Sequence, residues 1–254
     1  METLKIDRFE FLAAPWPMDT DKQTLILVHG AGMNCHSWEP QVAGLSPHFN
    51  TLALNLPGRG TSLGKANASI EQNVDFLVEF IDKNQIKMPI VCGISMGGAV
   101  VLSLLARNLD NIKSGIVINS GARLRVNTML LKSIQKNYTR YLSTLGQFAL
   151  SPKNNSPELI DALGPTMVQD PGTTLKDFMA CNSFNLMDDL HRITRPVLIL
   201  TASDDVLTPA KYGEHLESTI TDARRHSIAD AGHLSPMERP DAVNQEIKRF
   251  INHP

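Results

Sequence analysis

The chain has 254 residues, a formal net charge of −2 and 42% apolar residues. That suits one domain with a substantial core and gives no electrostatic reason to bind nucleic acid. No apolar run of about 18 residues is present to span a membrane, and residues 1–8 lack the apolar stretch of a secretory leader. Cys35, Cys92 and Cys181 are odd in number and show no metal-ligand spacing. A disulfide-free, cytoplasmic protein without metal or cofactor is expected.

Two short β-rich runs, 4–6 and 9–13, open the chain. A third, 24–29, is almost wholly apolar and leads into His29-Gly30-Ala31-Gly32. Small residues there let backbone N–H groups approach a substrate oxygen, as an oxyanion hole requires. A fourth run, 51–54, comes before a helix in which Ser69 and Gln72 form a capping box. Val74, Leu77, Val78 and Ile81 supply its apolar stripe.

The run 89–92 then enters Gly93-Ile94-Ser95-Met96-Gly97-Gly98, followed by an apolar helical stretch to Arg107. A strand, a sharp turn with serine at its apex and a helix would lift Ser95 clear of the sheet and aim it at the helix N-terminus. Flanking glycines keep the bend free of side chains. The sixth run is 115–119.

Strand and helix alternate up to this point, and the alternation then breaks. Residues 122–195 are too many for a loop and read as helices over 126–145, 157–163 and 173–190. After the break, run 196–200 leads into Asp204 and Asp205 before Pro209. Run 224–228 leads into Gly232-His233, and Val243, Ile247, Phe250 and Ile251 mark a last helix.

The predicted class is α/β: a mostly parallel, eight-stranded sheet covered on both faces. Residues 1–121 and 196–254 would form its core, with 122–195 as a helical cap over the C-terminal sheet edge. An acid at that edge, Asp204 or Asp205, and His233 join Ser95 in the chain order serine, acid, histidine. A glycine-rich turn or a helix-capping aspartate would explain any one of these segments. Their order along one chain points to a nucleophile, an orienting acid and a base.

With Leu56-Pro57-Gly58-Arg59-Gly60-Thr61-Ser62 added to these motifs, the chain resembles the α/β-hydrolase superfamily over nearly its whole length. It is most similar to the small cap-bearing serine hydrolases that include carboxylesterases and pimeloyl-carrier-protein methyl ester esterases. Asn55 stands where an Asp is common in that superfamily. The resemblance implies Asp205 as the acid, four residues before Pro209, and the N–H groups of Ala31 and Met96 as oxyanion donors. It also implies cofactor-free cleavage of carboxylic esters or thioesters through an acyl-enzyme.

Carbon–carbon bond hydrolases, enol-lactonases and perhydrolases share the triad, and a receptor of this fold would use the pocket without turnover. A ring-cleavage hydrolase would need a carboxylate-binding group, for which Arg59, Arg123 and Arg125 are available. The expected lining of the acyl pocket is Gly30, Met129, Tyr138, Met179, Met187 and Leu234. Ordinary helix packing would give the methionines the same spacing. Between residues 122 and 157 there are six basic residues and no acid. Lys132, Lys136 and Arg140 recur at helical spacing as a solvated face, or as a docking face for an acidic acyl carrier protein.

Overall fold

The computed structural model describes residues 1–253. Strands β1 (Glu2–Ile6) and β2 (Phe9–Ala14) form an antiparallel hairpin at one sheet edge. They are followed by β3 (Thr24–Val28), α1 (Glu39–Leu45), β4 (Asn50–Leu54), α2 (Ile70–Lys83), β5 (Ile90–Ile94), α3 (Met96–Ala106) and β6 (Ser114–Ile118). The helices α4 (Thr128–Lys136), α5 (Tyr138–Ala149), α6 (Pro157–Leu163) and α7 (Pro171–Ser183) come next. The chain closes with β7 (Val197–Ala202), α8 (Lys211–Thr219), β8 (Ala223–Ile228), α9 (Ser235–Glu238) and α10 (Pro240–Asn252).

The eight strands lie in the order β1-β2-β4-β3-β5-β6-β7-β8. Every pairing from β4 onward is parallel.

Parallel strands buried on both faces read as unbroken apolar runs, and β3 shows why. Its Ile26 and Val28 join the core under α2 and α3, where Val74, Leu77, Phe80, Val100 and Leu104 pack. Leu25 and Leu27 join the opposite core with Trp38, Val42, Ile247 and Phe250. Ser69 caps α2 as expected, its side chain accepting from the Gln72 N–H.

The helix expected over 126–145 is broken in two. Asn137 leaves helical geometry (φ −154°, ψ 78°), and its side chain accepts the Arg140 N–H at the start of α5. An Asn offers the backbone this alternative cap, so the helix restarts at a new angle instead of continuing. Lys132 and Lys136 are therefore on α4 and Arg140 on α5; they are exposed but do not share one helix face. The last inserted helix ends at Ser183, short of the expected 190. Leu186 N–H then bonds Ala122 O at 2.7 Å, bringing the two ends of the insertion together.

Among the described residues, no helix is long and apolar enough to cross a membrane.

Candidate active site

The C-terminal ends of β3, β5, β7 and β8 meet at one edge of the sheet. At the end of β5, Ser95 has φ 54° and ψ −114°, a strained conformation for a residue with a side chain. A Cβ on Gly93 would overlap the Gly97 backbone, and one on Gly97 would overlap the Val28 carbonyl. The two glycines are therefore required by close backbone approach. The turn is pinned by Ser95 N–H to Ile118 O at 2.9 Å and by Ser120 Oγ donating to Ser95 O at 2.7 Å. Met96 follows as the first residue of α3, so its N–H has no acceptor within the helix.

The loop after β3 is set by a buried histidine. His29 Nδ1–H donates to Gly30 O at 2.9 Å, and Nε2 accepts the Leu56 N–H at 3.3 Å. Burial, and then the nearby Arg59 guanidinium, push its pKa well below 6.5. His29 is thus neutral and fully engaged, and serves to shape the Gly30–Met33 turn. Gly32 N–H donates to Asp177 Oδ2 at 2.8 Å.

The two neighbouring aspartates separate cleanly. Asp205 Oδ2 accepts from His233 Nδ1 at 2.9 Å and from Thr208 Oγ1 at 2.7 Å. Its Oδ1 accepts the N–H groups of Leu207 and Thr208 at 2.8 and 3.0 Å. Burial works against its charge, but His233 and these hydrogen bonds outweigh burial and hold the carboxyl below the usual carboxylate range. A carboxylate on Nδ1 fixes the tautomer that leaves Nε2 as the basic nitrogen. Asp204 turns away, accepting from Ser151 Oγ at 2.6 Å and Ser203 Oγ at 2.9 Å. From below, Asn119 Nδ2 holds His233 O and Ser235 Oγ, both at 2.9 Å.

Ser95 and His233 line one narrow cavity of about 50 Å³. Gly30, Ala31 and Leu234 line it as expected, together with Met33, Ile94 and Leu207 from the core and Tyr141, Leu145, Ala149 and Phe178 from the insertion. The other four expected lining residues lie elsewhere. Met129, Met179 and Met187 are exposed, at 75%, 54% and 40%. Tyr138 stacks on Tyr141 from behind, its hydroxyl bonded to Val168 O and, at 2.7 Å, to Thr174 Oγ1. A helical period identifies a face but not the direction that face takes once the helices pack.

Arg59 is also not free to receive a substrate carboxylate. It is buried against Asp177 of α7, with Nε on Met33 O at 2.9 Å and Nη1 on Pro57 O at 2.7 Å. Arg123 and Arg125 are exposed and do not line the cavity. The Arg59–Asp177 pair had a sequence signal that was missed. Thr173, Thr174, Asp177, Ala180 and Cys181 form the buried stripe of α7, and a charged residue within such a stripe demands a partner.

A pimeloyl-[acyl-carrier protein] methyl ester esterase of Vibrio cholerae is 24% identical, covering 94% of this chain and 98% of its own length. A 3-oxoadipate enol-lactonase of Acinetobacter baylyi is 25% identical, covering 89% of this chain and 88% of its own. The crystal structure of an enol-lactonase from Burkholderia xenovorans shares the fold, with a TM-score of 0.88, 23% identity and coverage of 99% of this chain and all of that one. The model of the alpha/beta hydrolase family matches residues 25–246, from the first residues of β3 into α10. With that span, the chain belongs to the alpha/beta hydrolase family.

Proposed function

We propose that the protein is a cytoplasmic serine esterase, cleaving carboxylic esters without a cofactor. The observation that carries this is the strained Ser95 lining the same cavity as the Asp205-held His233. Ser95 Oγ attacks the acyl carbon, and His233 Nε2 takes its proton and passes it to the leaving alcohol. Asp205 orients the ring and stabilises the imidazolium. The Ala31 and Met96 N–H groups receive the oxyanion, where one such donor is worth about 3 kcal/mol. Water activated by His233 then releases the acid. The insertion, 122–195, acts as the cap that selects the acyl group.

A panel of p-nitrophenyl esters and acyl thioesters graded by acyl length tests this, with Ser95→Ala as the blank. Many turnovers per second on short esters are expected, with a loss of about 10⁴ or more in the variant. Stoichiometric binding without turnover would instead make the protein a receptor.

A second, finer reading concerns the acyl donor. The Vibrio relative is named for an acyl-carrier protein substrate. Here Lys132, Lys136 and Arg140 are exposed and form no ion pair among the described residues. Spread over α4 and the start of α5, they supply positive charge that an acidic carrier protein would dock against.

A further inference from the structure

Strand β6 carries none of Ser95, Asp205 and His233, yet the two residues after it hold both catalytic loops. Asn119 Nδ2 donates to His233 O and to Ser235 Oγ, each at 2.9 Å. The next residue, Ser120, is 4% exposed, and its Oγ donates to Ser95 O at 2.7 Å. Neither Asn119 nor Ser120 lines the cavity.

The carbonyl that Ser120 holds belongs to the peptide group joining Ser95 to Met96. That group is trans, so its C=O and its N–H point in opposite directions across one rigid plane. Rotation about ψ of Ser95 swings both together. A hold on Ser95 O therefore sets the direction of the Met96 N–H, one of the two proposed oxyanion donors.

This rotation needs a hold. Ser95 sits at φ 54° and ψ −114°, and a residue with a side chain stays in such a conformation only where its surroundings over-determine it. From within α3, Ala99 N–H reaches Ser95 O at 3.1 Å. Ser120 is a second hold, from outside the turn. It is itself closely seated: a Cβ on Gly98 would lie 2.5 Å from Ser120 Cβ and 2.8 Å from its Oγ. The hydroxyl thus rests against the first turn of α3.

An oxyanion donor is effective when it is aimed before the reaction and need not reorganise during it. Resting on the esterase proposal and its Met96 donor, we infer that Ser120 is a positioning residue. Through Ser95 O it aims the Met96 N–H at the oxyanion, and so acts on the transition state without touching the substrate.

The test compares the wild type with Ser120→Ala. Ser95 O keeps its bond from Ala99 N–H, so the change leaves no buried carbonyl unpaired and the variant should fold. On p-nitrophenyl butyrate, kcat should fall by about tenfold while KM stays within about twofold. Trifluoromethyl butyl ketone gives a constant that does not depend on how much of the enzyme is folded. Ser95 Oγ adds to its carbonyl carbon, the serine proton passes to His233 Nε2, and the carbonyl oxygen becomes the oxyanion. Its inhibition constant should rise by about tenfold, the same factor as the loss in kcat. Methyl butyl ketone, which has no fluorines to drive the addition, should bind both enzymes within about twofold. Ser120→Cys keeps a weaker donor in the same place and should fall between the two.

An unchanged inhibition constant for the trifluoromethyl ketone overturns the inference even if kcat drops, as does a loss that falls on KM. If Ser120→Ala does not fold, Ser120→Cys decides by the same constants. In each of these outcomes the esterase proposal stands, provided that the wild type turns over the ester and a fluorophosphonate labels its Ser95. A wild type without turnover, with Ser95 unlabelled, overturns the inference and the esterase proposal together.

Discussion

The two walls of the cavity are held by different means. The wall from the sheet edge is built at strand ends: Ser95 is locked by Ile118 O and Ser120 Oγ, and His233 by Asp205 and Asn119. These bonds are short and join residues of the core alone. The wall carrying Tyr141, Leu145, Ala149 and Phe178 is anchored to the core at several places. One is Asp177, which holds Arg59 and Gly32 N–H. Another is the segment 165–168, where Asn34 N–H reaches Thr166 O and Val168 N–H reaches Gly32 O, both at 2.9 Å. A third is the segment 149–154, where Ala149 O accepts Leu234 N–H at 3.1 Å and Ser151 N–H reaches Glu238 Oε2 at 2.8 Å. Glu238 also receives Gly232 N–H at 2.9 Å, so one carboxylate ties the insertion to the histidine loop. The difference separates chemistry from selection in the side chains used, while Glu238 and the Gly32–Asn34 loop couple the two walls.

Substitutions can break this division. The largest effect should come from the first wall. Asp205→Asn should lower kcat by about 10⁴, because an amide favours the wrong imidazole tautomer. Asp204→Asn, one residue earlier but bonded to Ser151, should cost less than about tenfold. Steady-state rates on one short ester compare the two, and a crippled Asp204 variant would reverse the assignment.

In the second wall, Asp177→Asn should act on stability. It leaves the Arg59 charge buried without its partner, at a cost of about 3–5 kcal/mol. Thermal unfolding should then fall by roughly 10 °C for a chain of this size. An unchanged Tm would mean that α7 is held by its other buried side chains alone.

The fixed wall also has a pH signature. His29 has its pKa lowered in the folded state, so the unfolded chain binds the extra proton below the ordinary value of 6.5. The stability it contributes is complete above about pH 6.5 and is lost as pH falls from there toward the folded-state value. The slope is at most about 1.4 kcal/mol per pH unit. Melting curves between about pH 7 and 5 should show the decline, and His29→Asn should flatten it.

The smallest effect concerns the outer face of the insertion. Changing Lys132, Lys136 and Arg140 to Glu should raise KM for acyl-carrier substrates several-fold, while a small neutral ester is barely affected. The difference should shrink with salt, since exposed charges are screened beyond about 8–10 Å at physiological strength. Equal, small changes on both substrates would leave these side chains as a solvated surface.

The first wall was legible in the sequence because its parts are local. A glycine two residues either side of Ser95, an acid before Pro209 and a glycine before His233 each mark the end of a strand, and the fold brings strand ends together. The second wall was not. Met129, Met179 and Met187 are apolar residues of the insertion, but all three are exposed once it packs on the core. Tyr138 and Tyr141 are three residues apart on one helix, and tertiary contacts alone decide which of them lines the cavity. Asp177 and Arg59 are 118 positions apart in sequence. Only the odd charge in the stripe of α7 hinted that they meet.

The central claim is that Ser95 is the nucleophile activated by His233. Labelling with a fluorophosphonate probe, followed by intact mass and peptide mapping, tests it most directly. One adduct per chain, on Ser95, is expected, with strongly slowed labelling in His233→Ala. An adduct on another residue, or undiminished labelling of Ser95→Ala, would contradict the account.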